Sequence, residues 1–146
     1  MNTQPSIKEK IFFLCMRMLI IDDNPDTTKM LSEFFNYKGF QVTVENDPWE
    51  GLKHIQTEKF DVILLDLMIP QFSGKQIIAT LATNEILQNQ NIYIYSGCLT
   101  CEVEIKDLLR RDGVSGCLKK PMDLNEILKT ITNGSSLEET KLTRFN

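Results

Sequence analysis

The chain has 146 residues, a formal net charge of −4 and a pI of about 5.0. This length fits one domain with a sufficient core of its own, and the acidic balance argues against direct binding of nucleic acid. The apolar residues 11–16 follow Lys8 and Lys10 as in a signal peptide, but the run leads straight into the first strand, so we expect no secretory or transmembrane segment. Four scattered cysteines, Cys15, Cys98, Cys101 and Cys117, suit a reducing compartment, so we expect a cytoplasmic protein with no membrane partner.

Apolar runs alternate with helical patterns along most of the chain. Strands are predicted at residues 18–21, 41–45, 60–66, 92–95 and 115–118. Helices are predicted at 25–38, from Pro48 past Ile55, from Ile77 to Leu81 with Ile86 left open, at 101–111 and at 123–131. Gly39 is expected to end the first helix, and Asp47 with Pro48 to begin the second.

Five strands that alternate with five helices predict an α/β fold. Parallel neighbours need crossover connections, which place helices on both faces of a mostly parallel, doubly wound sheet. We assign residues 16–133 to this domain. Residues 1–15 form an N-terminal extension in this interpretation, and residues 134–146 form a polar C-terminal tail.

Acidic residues close two of the apolar runs. Asp22 and Asp23 follow the first strand, and Asp66 closes the third. Because parallel strands end on a common side, these carboxylates are predicted to meet at one edge of the sheet. Burial and like charge would then raise at least one pKa unless a divalent cation lay between them. The alternative, three aspartates in surface turns, stays open at this point.

Four motifs lie at successive strand ends: Asp22-Asp23, Asp66 with Pro70 and Gly74, Ser96, and Lys120-Pro121. Together they resemble the receiver domain of two-component response regulators. The resemblance covers most of the chain, about residues 16–133, and it implies a flavodoxin-like sheet of order 2-1-3-4-5 with a site at the carboxyl edge.

The resemblance implies a role for each acid. Asp66 would be the nucleophile that accepts a phosphoryl group as an aspartyl phosphate. Asp23 and Asp66 would bind Mg²⁺ directly, Asp22 through water, and the carbonyl of Met68 would supply another oxygen. The cation would offset repulsion between the attacking carboxylate and the phosphoryl group.

Three further positions follow from the same resemblance. Lys120 would pair with a phosphoryl oxygen, with Pro121 forming a cis peptide bond, and Lys119 is the rival candidate. Ser96 would donate its hydroxyl to the bound phosphoryl group. Cys117 stands where many receivers have an aromatic residue that takes part in the switch. Tyr93, Tyr95 or a loop change could serve instead, and we expect output to pass through the segment 97–111.

The implied function is signalling rather than turnover of a substrate. The phosphoryl donor would be a sensor histidine kinase or a phosphotransfer protein, and the recipient an unidentified downstream protein. The chain would be a monomer or a phosphorylation-dependent homodimer.

Two other readings share some of these residues. A haloacid-dehalogenase-like phosphatase also uses an aspartate, Mg²⁺ and a lysine, but that family needs an acid where this chain has Met68. A thioredoxin-like redox module would use the CxxC pair Cys98 and Cys101, but the pair lies too late in the chain for that fold. A zinc site would need a second pair or a histidine beside it.

Overall fold

The computed structural model describes residues 4–8, 13, 16–97 and 102–133. The predicted five-stranded parallel sheet is confirmed, with strand order β2-β1-β3-β4-β5. A short 3-10 helix, Leu87–Asn89, precedes β4. The other elements in chain order are β1 (Arg17–Ile21), α1 (Pro25–Lys38), β2 (Gln41–Glu45), α2 (Pro48–Thr57), β3 (Val62–Leu65), α3 (Gly74–Thr83), β4 (Ile92–Ser96), α4 (Glu102–Leu109), β5 (Val114–Lys119) and α5 (Leu124–Asn133).

The sheet is covered on both faces, which explains why its central strands are uninterrupted apolar runs. Successive side chains of a strand point to opposite faces. In β3, Ile63 belongs to the core layer that includes residues of α2, α3 and α4, whereas Leu64 belongs to the opposite layer, with residues of α1 and α5. β2 lies at the edge of the sheet and is only partly buried, and its sequence alternates polar and apolar residues.

The predicted helix ends are confirmed where the sequence indicates them. Gly39 follows α1 with a left-handed φ of 109°. Asp47 caps α2 by accepting hydrogen bonds from two backbone N–H groups, and Pro48 is the first helical residue. Asn24 caps α1 by accepting a hydrogen bond from the N–H of Asp26, which directs the chain from the end of β1 into the helix.

Some element bounds differ from those predicted. β3 begins at Val62 and ends at Leu65, so Asp66 lies directly after the strand rather than within it. α3 ends at Thr83, and Ile86 lies outside it. Glu85 adopts a left-handed φ of 59°, and the N–H of Ile86 donates to the carbonyl of Leu81 at 3.0 Å, which is a Schellman ending.

The N-terminal extension contributes an aromatic residue to the core. Phe13 is buried, and its ring stacks on Phe40 with centroids 4.6 Å apart. The predicted helix start at Cys101, the CxxC pair, Cys15 and the tail 134–146 lie outside the described residues. Within the described part, no helix is both long and apolar enough to cross a bilayer.

His54, the only histidine of the chain, lies between two glutamates. Its Nδ1 is 2.5 Å from Glu58 and its Nε2 is 2.9 Å from Glu45. The hydrogen bond with Glu58 raises the pKa of His54; partial burial lowers it, and Glu45 raises it further. The protonated imidazole is therefore favoured in the folded state.

We expect an NMR titration of the single imidazole to give a pKa above the unfolded value of about 6.5. The resulting contribution to stability is complete below that value and is lost as pH rises through the folded-state pKa. The melting temperature of His54→Gln should therefore fall below that of the wild type near pH 6, and the difference should close as pH rises through the folded-state pKa. Glu58→Gln should lower the pKa and Glu50→Gln should not; a wild-type pKa below the unfolded value would contradict the assignment.

Candidate functional site

The ends of β1 and β3 place two aspartates side by side. Ile21 and Leu65 are register partners in the parallel pair, so Asp22 and Asp66 follow on neighbouring strands. The N–H of Asp66 donates to the carbonyl of Ile21 at 3.0 Å, and the N–H of Asp22 donates to that of Glu45 at 3.1 Å. Hydrogen bonds between the strands thus hold the backbone of both aspartates in place.

Three carboxylates gather at this edge. One oxygen each from Asp22, Asp23 and Asp66 can be chosen so that all lie within 4.8 Å of one another. Asp22 and Asp66 are only 2% and 7% exposed, whereas Asp23 is open to solvent. Burial raises the pKa of Asp22, and the charge of Asp66 raises it further, although hydrogen bonds with Lys120 and Asn24 lower it in part. The cluster therefore favours a bound positive charge.

Lys120 brings that charge from the end of β5. Its Nζ donates to Asp66 Oδ2 at 3.1 Å and also to Asp22 Oδ2. Burial lowers the pKa of Lys120, but the hydrogen bond with Asp22 and the charges of both aspartates raise it above its usual value overall. The Lys120–Pro121 peptide bond is cis. Lys119, the rival candidate, is exposed to solvent.

Ser96 ends β4 and is completely buried. Its carbonyl accepts a hydrogen bond from the N–H of Lys120 at 3.0 Å. Among the residues that the structure describes, none donates to or accepts from its hydroxyl. A buried hydroxyl without a partner is costly, so this group is suited to a ligand at the strand ends.

The loop after β3 packs closely under the site. The N–H of Met68 donates to Asp66 Oδ1 at 3.0 Å, which orients the carboxylate, while the Met68 side chain is 60% exposed. The N–H of Gly74 donates to the carbonyl of Leu67 at 3.1 Å. A Cβ at Gly74 would overlap the backbone of Asp66 and Leu67, so only glycine fits at the start of α3.

Sequence reasoning missed a polar residue that supports Asp22. Asn46 Nδ2 donates to the Asp22 carbonyl at 2.8 Å and to Thr28 Oγ1 at 3.0 Å. It thereby joins the end of β1 to the first turn of α1. Its place directly after β2, at the same edge as the acids, is the signal that could have identified it.

Two aromatic residues lie near the site. Tyr95 lies in β4 next to Ser96, and its ring centroid is 5.3 Å from Lys120 Nζ. Trp49, at the start of α2, stacks on Phe72 of the loop after β3 with centroids 4.0 Å apart. The Trp49 ring remains 55% exposed.

The donor set fits a hard cation. Carboxylate oxygens are the ligands that Mg²⁺ prefers, and the spacing of the three aspartates is compatible with a shared ion. No described histidine or cysteine lies in this cluster, which disfavours a softer metal. The Lys120 ammonium contacts two of the same carboxylates, so a bound cation and the ammonium would share them.

Comparison with known proteins decides the family. The model of the response regulator receiver domain matches residues 18–132, which is most of the chain. The chain belongs to the response regulator receiver family. Receiver domains are the signalling domains of two-component systems. They interact with histidine kinases or phosphotransfer proteins and typically bind Mg²⁺ at an acidic pocket.

The receiver spans about half or less of the length of the curated relatives it matches first. One is named "Probable transcriptional regulator ycf29", from Pyropia yezoensis, and is 29% identical over 119 residues, covering 80% of this chain and 52% of the relative. The shared part is therefore a module that other proteins combine with further segments.

Solved structures agree with the receiver fold. The receiver domain of the Francisella response regulator 1452 has a TM-score of 0.71 and 27% identity, covering 82% of this chain and 95% of that one. A response regulator from Burkholderia pseudomallei has a TM-score of 0.70 and 27% identity, and the match covers 86% of this chain and 72% of that one. That structure contains a phosphorylated aspartic acid, a calcium ion and citrate.

Proposed function

We propose that this receiver accepts a phosphoryl group on Asp66 from a phosphohistidine of a sensor kinase or phosphotransfer protein. The observation that carries the proposal is the contact of Asp66 with Lys120 at 3.1 Å, inside a group of three aspartates. A carboxylate with a fixed cation beside it and further acids around it is the arrangement that phosphoryl transfer needs.

In the proposed reaction, a carboxylate oxygen of Asp66 attacks phosphorus. The bond between phosphorus and the donor's imidazole nitrogen breaks, and its electron pair stays on the imidazole. The product is a mixed anhydride on Asp66, formed without any oxidant or reductant. The hydrogen bond from the Met68 N–H to Asp66 Oδ1 leaves Oδ2, the oxygen on the Lys120 side, as the candidate nucleophile.

Lys120 and Ser96 would bind the transferred group. The Lys120 ammonium can exchange a carboxylate contact for a phosphoryl oxygen, which compensates the charge that arrives. The Ser96 hydroxyl, buried and without a described partner, would gain its hydrogen bond from the same group. Both contacts are strongest in the phosphorylated state, so they would favour that state's arrangement of the strand ends.

Mg²⁺ would be held by Asp23, Asp66 and the Met68 carbonyl, with Asp22 acting through water. When bound, it supplies positive charge that offsets the repulsion between two anionic reactants. The carboxylates and Lys120 provide the rest of the electrostatic balance. The chain's own residues thus align the nucleophile and hold the transferred group.

Signalling would then be a shift between two arrangements of the protein surface. Formation of the Ser96 contact would pull on the segment that leads to α4, in line with an output surface at 97–111. Lys75, in the first turn of α3, forms an ion pair with Glu104 of α4, which links the helix that follows the Asp66 loop to α4. The recipient would be a protein target, or a second copy of the chain, that prefers the phosphorylated arrangement.

Intact mass after incubation with a small phosphodonor tests the proposal directly. We expect one base-labile phosphoryl adduct on the wild type that requires Mg²⁺ and is absent from Asp66→Asn. Asp107→Asn is the matched control, because Asp107 is an exposed residue of α4 away from the acidic cluster.

Two outcomes would count against phosphorylation at Asp66. An adduct that persists in Asp66→Asn would place the acceptor elsewhere. An absence of any adduct, with the phosphodonor or with a donor kinase, would leave the chain without the proposed activity.

A further inference from the structure

Lys120 has an aromatic neighbour as well as acidic ones. The centroid of the Tyr95 ring is 5.3 Å from Nζ, within the range of a cation–π contact. Tyr95 is 5% exposed, and the Lys120 side chain is 22% exposed, so little water separates them. The same Nζ thus contacts the Tyr95 ring in addition to the carboxylates of Asp22 and Asp66.

The position of Tyr95 in the sheet fixes its distance from Lys120. Tyr95 pairs with Leu118 in the parallel register of β4 and β5. The neighbouring Ser96 carbonyl accepts the N–H of Lys120 at 3.0 Å, which ties the two strand ends together. The Tyr95 ring and Lys120 are therefore attached to two strand ends that are hydrogen-bonded to each other.

A neutral ring is well suited to support a cation at an anion site. A third carboxylate next to Lys120 would hold it firmly but would also repel an incoming phosphoryl group. An aromatic face attracts the ammonium through its quadrupole, with no net charge and without consuming an N–H donor. Burial raises the pKa of the Tyr95 hydroxyl, so the ring is uncharged at neutral pH.

We propose that Tyr95 is a positioning residue, whose ring face holds the Lys120 ammonium in the position where it can contact a phosphoryl oxygen on Asp66. The inference rests on the proposed phosphorylation of Asp66 and adds a residue outside the four receiver motifs. Tyr95 acts through Lys120 and does not itself contact the transferred group. Its plain alternative is a core residue that stabilises the fold and nothing else.

Two substitutions separate these roles. Tyr95→Phe keeps the aromatic face and removes the hydroxyl, whereas Tyr95→Leu removes the face. We expect Tyr95→Phe to be phosphorylated at nearly the wild-type rate and Tyr95→Leu roughly 3- to 10-fold more slowly. Tyr93→Leu is the matched control, because Tyr93 is a buried tyrosine of the same strand and the same core cluster.

A spectroscopic readout avoids dependence on stability and on activity. The Cε protons of Lys120, assigned with the help of Lys120→Arg, should be displaced upfield by the ring current of Tyr95. This displacement should be retained in Tyr95→Phe and lost in Tyr95→Leu, while Tyr93→Leu leaves it in place. A fold-stabilising role alone would not produce that pattern.

The outcomes distinguish this inference from the proposed function. Wild-type phosphorylation rates in Tyr95→Leu, or Lys120 signals that do not change in it, would overturn the positioning role alone. It would also be overturned if Tyr93→Leu were phosphorylated as slowly as Tyr95→Leu and lost as much stability, because the phosphorylation rate would then depend on fold stability and not on the contact with Lys120. A wild-type chain that accepts no phosphoryl group would overturn both.

Discussion

Lys120→Met is expected to slow phosphorylation of Asp66 by roughly 100-fold or more, because a fixed charge at the transferring group is commonly worth that much. The substitution keeps most of the side-chain volume and removes the ammonium. Asp22 and Asp66 would then lack the cation that contacts both of them. The measurement is the initial rate of adduct formation by intact mass at saturating Mg²⁺.

The same variant should bind Mg²⁺ more tightly than the wild type. The ammonium and the metal compete for the same carboxylates, so removal of one favours the other. Tighter binding with slower chemistry would show that the site is intact and that the missing charge limits the rate. Calorimetric titration with Mg²⁺ provides this second measurement.

Lys119→Met is the matched control for both measurements. Lys119 is adjacent in sequence but exposed, and its substitution should change the phosphorylation rate little. Equal losses in the two variants would indicate a general effect of lowered positive charge, and would remove Lys120 from the proposed machinery.

Gly74→Ala is expected to destabilise the fold by about 2 kcal/mol or more, although alanine is the better helix former. An added Cβ would overlap the backbone of Asp66 and Leu67, neither of which can rotate away as a side chain would. The start of α3 would have to move, and the loop that follows Asp66 would move with it. Chemical denaturation measures the change in the free energy of unfolding.

Gly97→Ala is the control for Gly74→Ala. A Cβ at Gly97 would meet only Lys120 Cβ at 3.9 Å, an ordinary van der Waals distance. Its effect on stability should remain within about 0.5 kcal/mol, as for substitutions without a specific clash. A stable Gly74→Ala variant would show that α3 can retreat from β3 without cost.

Local signals in the sequence were sufficient for the sheet and for most helix ends. The buried runs of β1 and β3 and the cap at Asp47 depend on residues close together in the chain. The ending of α3 was less clear, because Ile86 continues the apolar period of the helix. It packs against the core from a turn instead, with Glu85 in a left-handed conformation that its side chain does not predict.

The contacts that make the site required the folded chain. The strand-end rule predicted that the aspartates would converge, and the resemblance to receivers assigned Lys120 to them. The side-chain partners of Asn46 and Tyr95 depend on register between separate strands, which one sequence does not reveal. Phe13 reached the core by packing on Phe40, outside the alternating pattern that defined the domain.

The stacking of Trp49 on Phe72 gives the protein an intrinsic optical reporter. Trp49 is the only tryptophan, it is partly exposed, and its stacking partner belongs to the loop that begins at Asp66. Indole emission depends on its immediate surroundings, so a shift of this loop would change fluorescence intensity or wavelength. Rapid-mixing kinetics of loop rearrangement are therefore accessible on the unlabelled chain, with no dye or engineered fluorophore.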